Sequence, residues 1–266
     1  MLQKSGRFRA LGTAITLLAF AQTCHADQNE DPNSPAHFDI TLGGGFGSEP
    51  KYVGASDTHF KFVPVVKATY GNWFIGGEDT GAAVGYNFIR NKNWLLSGAI
   101  GADLSPRKES DDPHLQGLGD VKTTARALLL VQYSQDWFKV GGTLSQDILG
   151  KHEGTRGIVF ARAKWDALDK LELSAGPHLV WASGAYMQTF FGVTDQQSLN
   201  SGLPVYNASS GLEEAAVDFG ADYRIDQHWG VGARVSFGKL HGSAADSPIT
   251  EKTSQTKVGA FATYHF

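Results

Sequence analysis

The chain has 266 residues, with 23 Lys and Arg against 27 Asp and Glu, and 41% of its residues are hydrophobic. This composition excludes a strongly basic nucleic-acid-binding protein and a chain too polar to fold. Mean hydropathy is −0.23, and outside the N-terminus no apolar run approaches the ~18 residues that a transmembrane helix requires.

The N-terminal segment has the pattern of a secretory signal peptide. A basic start is followed by an apolar run at positions 10–21, and the small residues Cys24 and Ala26 occupy the positions that signal peptidase reads. We predict cleavage between Ala26 and Asp27, which makes residues 1–26 the signal peptide. The alternative, an N-terminal membrane anchor, needs a longer apolar run than this one.

Removal of the signal peptide would leave a mature chain of residues 27–266. Cys24 is the only cysteine, so the exported protein would lack the disulfides on which small secreted domains depend. Three basic residues would be lost as well, which makes the mature chain more acidic than the whole sequence. Because it lacks disulfides, the exported protein must be stabilised in another way.

The rest of the chain alternates apolar and polar residues in segments that are separated by turn residues. Twelve segments have this pattern, at 37–46, 60–70, 73–78, 81–89, 94–104, 122–133, 137–147, 157–165, 171–181, 214–224, 228–238 and 258–266. Short connections, such as Gly71-Asn72, alternate along the chain with long ones, such as 187–213. Short turns at one end and long loops at the other indicate an outer-membrane β-barrel, with both termini at the periplasmic end.

The sequence favours this barrel over a secreted β-sandwich. Glycines crowd the polar faces of the segments, where a narrow lumen would give them a purpose, and aromatic residues stand at the ends of the apolar faces, as in an interfacial girdle. We therefore predict an all-β fold, a closed antiparallel transmembrane β-barrel of about 12 strands with short periplasmic turns and long extracellular loops. Pro64 and Pro177 lie inside predicted strands, and we expect either bulges or locally wrong strand predictions there because each lacks a backbone donor.

Several segments resemble the MipA/OmpV family of outer-membrane proteins. The longest is YMQTFFGVTDQQSLNSGLPVYNASSGL at 186–212, and segments 64–88, 115–122 and 238–252 also fit. The resemblance implies an outer-membrane barrel without catalytic residues. For the member that names the family, it implies a scaffold that brings a lytic transglycosylase together with a murein synthase. Other members are described as adhesin-like or porin-like.

Charged residues on the predicted inward faces suggest either a selective pore or a charge network that fills a small lumen. We favour the network. Barrels of about eight strands are filled by side chains and those of about sixteen enclose a channel, so a strand number of about 12 does not decide the question. The residues of the predicted network are Arg126, Arg162, Glu172, Asp218, Asp222 and Arg234.

A catalytic site is not expected. Ser174 and His178 share one inward face, but strand geometry separates them by about 13 Å, too far for a nucleophile and its base. We predict no enzymatic activity, no cofactor and no metal site. We interpret His152-Glu153 and the acidic run 109–112 as solvated loops.

The final segment, VGAFATYHF at 258–266, places alternate residues on one apolar face, with Phe261 as the exception. Its ending resembles the signal that the outer-membrane assembly machinery reads, and we assign that role to Tyr264 and Phe266. The expected partners are outer-membrane lipid, the assembly machinery and, through the family resemblance, a murein synthase and a lytic transglycosylase.

Overall fold

Twelve antiparallel strands dominate a computed structural model that describes residues 38–77, 80–102 and 107–266. The predicted signal peptide and its cleavage site at Ala26 and Asp27 lie outside the described residues. The strands are β1 (Phe38–Pro50), β2 (Thr58–Tyr70), β3 (Trp73–Ile75), β4 (Ala83–Arg90), β5 (Trp94–Ala102), β6 (Ala125–Ser134), β7 (Phe138–Asp147), β8 (Thr155–Leu168), β9 (Leu171–Ala182), β10 (Gly211–Arg224), β11 (Trp229–Leu240) and β12 (Ser254–His265).

The strands form one closed barrel in which each strand pairs with its neighbours in sequence and β12 returns to β1. In the closing pair, Thr41 lies opposite His265 and Ser48 lies opposite Val258. Closure lets the backbone groups of each strand find partners within the sheet, which a hydrocarbon environment requires. The predicted closed antiparallel barrel of twelve strands is confirmed.

The apolar face of the strands points outward. On β2, Phe60 is 71% exposed, whereas the neighbouring Lys61 is only 7% exposed because it points into the lumen. The eleven residues from Phe60 to Tyr70 span about 33 Å of strand. A tilted strand of this length crosses an apolar band about 25 Å tall. The protein is an integral outer-membrane β-barrel.

Aromatic pairs ring the end of the barrel where the short turns lie. Phe38 stacks on Tyr70 with ring centroids 4.6 Å apart, and Trp94 contacts Tyr133 at 4.9 Å. These amphipathic rings mark the membrane–water interface at the periplasmic end, as the sequence predicted.

Three short helices occupy the long connections at the opposite end: α1 (Gly184–Phe191), α2 (Asp195–Ser201) and α3 (Gly242–Ala245). The side chain of Thr194 accepts from the Gln197 backbone and starts α2, and Gly202 ends it at a φ of 78°. The long connection 187–213 therefore contains ordered helix. Among the described residues, no helix is long and apolar enough to cross a membrane.

The long connections pack together into what we call the cap, made of residues 51–57, 107–124, 148–154, 183–210 and 241–253. Two apolar clusters give it a core of its own, and both draw on several connections. One cluster contains Tyr52, Ala55, Leu115, Leu118, Val193 and Ile249. The other contains Ala182, Tyr186, Met187, Phe191, Leu240 and Ala244. Because Ala182 and Leu240 end strands of the barrel, the cap is seated in its outer mouth.

The bulges expected at Pro64 and Pro177 are not found there, so that prediction was wrong. Within the described residues, register shifts lie instead at Asn87/Ile89, Asp166/Leu168 and Leu212/Glu214. Pairing of β8 with β9 skips the two positions opposite Pro177 and Gly176, without a change of register. The missing donor of Pro177 is thus accommodated by a local gap in the ladder.

Pro64 is accommodated because one edge of β2 is largely unpaired. All thirteen residues of β2 pair with β1, but only Ala68–Tyr70 pair with β3. The Val66 carbonyl faces the β3 side, since a Cβ on Gly76 would lie 2.0 Å from that oxygen. Pro64 stands two residues earlier, so its nitrogen faces the same side. No ladder bond of β2 to its described neighbours is lost.

Candidate functional site in the lumen and cap

Inward aromatic rings lie on lumen glycines in the body of the barrel. The pairs are Phe74 on Gly85, Phe160 on Gly141 and Phe261 on Gly232, where an added Cβ would lie 2.3 to 2.8 Å from a ring carbon. Phe261, the exception to the alternation of β12, is therefore an inward residue with a defined place. The glycines of the polar faces make room for these rings, since any side chain in their place would displace the aromatic group.

Four residues of the predicted charge network form three ion pairs with neighbouring strands inside the lumen. Arg234 Nη1 lies 2.8 Å from Asp222 Oδ1, and Lys164 Nζ lies 3.4 Å from Glu172 Oε1. Asp218 Oδ2 lies 2.8 Å from His178 Nδ1. These pairs join adjacent strands, so the lumen charges are arranged as local cross-strand contacts.

The other two residues of the predicted network have different surroundings. Arg126 Nη1 lies 3.4 Å from Glu153 Oε2, and its Nη2 donates to the Gly154 carbonyl. The guanidinium carbon of Arg162 lies 5.9 Å from the centre of the Phe160 ring. The structure thus brings the six residues into one lumen but at different heights.

Several charged residues of the lumen were missed by the sequence analysis. Arg156 binds Glu213 through two nitrogens, with Nε to Oε2 at 2.8 Å and Nη2 to Oε1 at 3.1 Å. Glu49 was missed too, and it pairs with the inward-facing Lys61 near the outer end of β1 and β2. Arg156 continues the row of inward-facing residues on β8, but the predicted strand began at position 157. A predicted start at Thr155, where β8 begins, would have included it.

Two loop interpretations were wrong for one residue each, Glu153 and Asp112, whereas His152 and Ser110 are exposed as predicted. Glu153 is not solvated: it is 1% exposed because it pairs with Arg126 beneath the cap. In the acidic run 109–112, Asp112 is buried, accepts from the His114 N–H at 3.0 Å and lies 2.9 Å from Lys51 Nζ. A loop residue gains such partners only through contacts with distant segments, which local sequence does not reveal.

Tyr186 of α1 lies between two arginines at the outer mouth. The guanidinium carbon of Arg126 is 6.0 Å from the ring centre, and that of Arg156 is 5.7 Å from it. Tyr186 is 6% exposed, and the next residue, Met187, is completely buried. The helix therefore lies within the mouth of the barrel and contacts side chains from β6 and β8.

Burial is tighter at the mouth than deeper in the lumen. Val180, Ala182 and Glu213 are 1%, 0% and 0% exposed. In contrast, the side chains of His178 and Asp218 are 17% and 14% exposed. Solvent therefore reaches parts of the lumen below the cap, and at the layer of α1 it reaches the Arg156 side chain, which is 27% exposed, while Glu213 stays buried.

Electrostatic contacts hold the cap segments to one another. The His114 N–H, followed by Lys51, holds the pKa of Asp112 below its usual value. Burial lowers the pKa of Arg107 to about 10, so its guanidinium stays charged at neutral pH and donates to the Phe190 carbonyl at 2.9 Å. Burial and the neighbouring Glu251 raise the pKa of Tyr52, whose hydroxyl stays protonated.

The residues that the sequence analysis weighed for catalysis lie apart on one strand. His178 is hydrogen-bonded to Asp218, and the predicted separation of Ser174 from His178 follows from their places on β9. Among residues 38–77, 80–102 and 107–266, His, Cys, Asp and Glu do not form a group of three that could hold a metal ion.

The C-terminal residues complete the girdle at the periplasmic end. Tyr264 contacts Trp229 at 5.0 Å and Phe266 at 4.8 Å, in both cases edge to face. The Phe266 N–H donates to the Ile40 carbonyl at 3.0 Å, and its side chain is 66% exposed. The proposed assembly signal is thus displayed on the outer surface, next to the closing strand pair.

Comparisons with known proteins match nearly the whole chain. The family model described as MltA-interacting protein MipA matches residues 42–266. MltA-interacting protein of Escherichia coli K12 is 27% identical over 267 residues, which cover 98% of this chain and 99% of that relative. The putative outer membrane protein YiaT of Escherichia coli O157:H7 is 20% identical over 80% of this chain and 85% of its own length.

Solved structures that match include the NanC porin, with a TM-score of 0.38 and 7% identity, covering 86% of this chain and 99% of that one. A Pseudomonas aeruginosa FadL homologue matches with a TM-score of 0.41 and 7% identity, covering 85% of this chain and 90% of that one. The match to the family model spans well over half of the sequence, and the chain therefore belongs to the MltA-interacting protein MipA family.

Proposed function

We propose that the protein is an outer-membrane interaction barrel that anchors murein enzymes, a lytic transglycosylase and a murein synthase, at the periplasmic surface of the membrane. The observation that carries the proposal is the seal at the outer mouth, where Ala182 and Glu213 are fully buried beneath the cap. A barrel closed in this way is poorly suited to free diffusion of solutes, so we assign its role to its surface. The name of the Escherichia coli relative supports the choice of partner.

The periplasmic turns are the surface available to such partners. The β4–β5 turn carries exposed Arg90 and Lys92, whereas exposed Asp169 and Asp226 lie in the β8–β9 and β10–β11 turns. Charges of both signs at separate places favour an oriented partner and an association that weakens with salt. We propose a binding role without catalysis.

The test is co-isolation from membranes. The full-length protein, tagged in a cap loop, is extracted in mild detergent at low ionic strength, and associated proteins are identified by mass spectrometry. We expect recovery of a lytic transglycosylase, reduced in an Arg90→Glu/Lys92→Glu variant. The control is Lys122→Glu/Lys252→Glu, which reverses two exposed charges of the cap. Captures that repeatedly lack murein enzymes would contradict the proposal.

Export and assembly form part of the same proposal. We propose that residues 1–26 are removed between Ala26 and Asp27 and that Tyr264 and Phe266 serve as the signal for outer-membrane assembly. A protein that follows this route migrates faster on a denaturing gel when it is loaded unheated than after boiling, because a folded barrel resists the detergent. N-terminal sequencing of the same band identifies the cleavage site.

A further inference from the structure

The helix α1 is held in the mouth of the barrel by its apolar contacts in the cap core, by hydrogen bonds such as that from Arg107 to the Phe190 carbonyl, and by the aromatic ring of Tyr186. The guanidinium carbons of Arg126 and Arg156 lie 6.0 and 5.7 Å from the ring centre of Tyr186, and Phe190 stacks on the same ring with centroids 4.4 Å apart. Cation–π contacts of this kind are strongest when water is excluded, and Tyr186 is only 6% exposed. The contact therefore contributes directly to keeping α1 in place.

Both arginines are fixed by buried carboxylates, one within the cap and one at the start of β10. Arg156 binds Glu213 at the start of β10 through two nitrogens, and Glu213 is fully buried. Arg126 contacts Glu153 in the connection between β7 and β8 at 3.4 Å. Buried ion pairs with further hydrogen bonds hold their geometry well. The two guanidinium groups thus form a rigid seat for the ring of Tyr186.

The start of α1 is fitted closely to the same seat. Ser183 caps the helix, and its Oγ accepts from the Thr155 N–H at 2.9 Å. A Cβ on Gly154 would lie 2.9 Å from the Tyr186 nitrogen, and Gly154 has a φ of 50°. Because a larger residue would push the helix away, Gly154 lets α1 approach β8 closely.

Below this level solvent reaches only part of the lumen. Val180 and Met187 at the mouth are 1% and 0% exposed, and Asp222 and Arg234 nearer the periplasmic end are still 5% and 6% exposed. On the neighbouring part of the wall, the side chains of His178 and Asp218 are 17% and 14% exposed. Water-sized space therefore exists among the charged residues below α1. Displacement of α1 would connect that space with the outside.

We propose that α1 is a plug latched by Tyr186 between Arg126 and Arg156, and that its release opens a path for small inorganic ions through the lumen. This activity goes beyond anchoring of murein enzymes and does not depend on it. The mixed charges along the path, such as Lys164 with Glu172 and His178 with Asp218, suit hydrated ions of either sign and exclude bulky solutes.

The test is electrical recording of the full mature chain in planar lipid bilayers with potassium chloride as the only permeant salt. The unaltered protein is expected to stay mostly closed. Tyr186→Ala should raise the open probability by roughly tenfold or more, as expected for loss of desolvated cation–π contacts. Tyr186→Phe keeps the ring and should stay closed, which makes it the matched control.

A second variant guards against misfolding of Tyr186→Ala. Arg156→Gln combined with Glu213→Gln removes one side of the seat without leaving a buried charge unpaired, and it should also raise the open probability. The heat-dependent gel shift selects folded protein in each case. The proposal is overturned if both folded variants are as silent as the unaltered protein, or if the unaltered protein and Tyr186→Phe already conduct as much as Tyr186→Ala.

Discussion

The outer and periplasmic ends of the barrel use the same kinds of contact in different surroundings. At the outer end, the carboxylates of Glu153 and Glu213 are almost completely buried beneath a cap with its own apolar core. Toward the periplasmic end, Lys164 and Glu172 remain 20% and 18% exposed, and the surface is a girdle of aromatic rings. The carboxylates of the ion pairs at the outer end are therefore shielded from water, whereas the ion pair toward the periplasmic end is screened by it.

The largest effect is expected from the periplasmic end. Deletion of Phe266 should strongly reduce the amount of protein in the outer-membrane fraction, because the assembly machinery would lose its terminal aromatic residue. In the folded barrel, Phe266 contributes little beyond one backbone hydrogen bond to Ile40 and an edge contact with Tyr264. Loss of assembly would therefore reflect recognition and not stability.

Phe38→Ala provides the control for that deletion. Phe38 lies at the same end, is 68% exposed against 66% for Phe266, and stacks on Tyr70. Quantification of both variants in isolated membranes should show near-normal assembly for Phe38→Ala. Normal levels of the Phe266 deletion would contradict the proposed signal.

Removal of a single charge should destabilise the protein more at the outer end of the barrel than toward the periplasmic end. Arg156→Ala leaves Glu213 buried without its bidentate partner, and we expect it to lower the free energy of unfolding by about 3–5 kcal/mol. Lys164→Ala leaves Glu172 partly exposed, and we expect a loss of under about 1 kcal/mol. Urea denaturation in lipid vesicles measures both, and equal losses would remove the distinction between the ends.

Glycine substitutions should reveal how closely the lumen is packed. A Cβ on Gly176 would lie 1.9 Å from the Ala161 carbonyl oxygen, so Gly176→Ala must separate β8 from β9 and should cost roughly 1–3 kcal/mol of stability. The control is Gly157→Ala on β8, near the outer end, where the nearest atom to a new Cβ is Leu144 Cδ1 at 3.7 Å. Its unfolding midpoint should stay within experimental scatter of the unaltered protein.

The smallest expected effect is a pH dependence of the cap. The pKa of Asp112 is held low by the His114 N–H and then by Lys51, so its stabilising contribution is complete at neutral pH. That contribution is lost as the pH falls below about 4 and the carboxyl group is protonated. Pepsin should cleave the cap increasingly over this range.

Asp112→Asn removes the charge and should make pepsin cleavage of the cap less dependent on pH. At the highest pH tested, this variant should be cleaved faster than the unaltered protein. Asp226 offers the comparison at the periplasmic end, since backbone N–H groups of Trp229 and His228 lower its pKa in a fully exposed turn. Asp226→Asn should leave cleavage of the cap unchanged. A cap that resists pepsin equally at all pH values would contradict the role of Asp112.

The number and order of the strands could be predicted from the sequence because alternation reports directly which residues face lipid. The strand ends were less accurate: β8 begins at Thr155 instead of position 157, and β10 begins at Gly211 instead of position 214. These added residues lie beneath the cap, where both faces of a strand are covered. Alternation between lipid and lumen ceases there, so the pattern that predicts strands is lost.

The candidate site was predicted only in part, for a related reason. Alternation placed Asp222 and Arg234 inside the lumen, but their 2.8 Å contact depends on the register of β10 against β11. The seat of Tyr186 combines residues from a strand, a loop and a helix, among them Glu153 and Glu213. Contacts between segments far apart in sequence follow from the cap's tertiary packing, which no local pattern encodes.

The partly unpaired edge of β2 has a consequence for the chain before the barrel closes. Between Thr58 and Lys67, the side of β2 that faces β3 has no strand partner among the described residues. Such an edge can recruit a strand from another copy and start an aggregate. Pro64, in the middle of this edge, lacks the donor that an added strand would need. A residue that looked like a flaw in the strand thus disfavours the pairing of this edge with another chain.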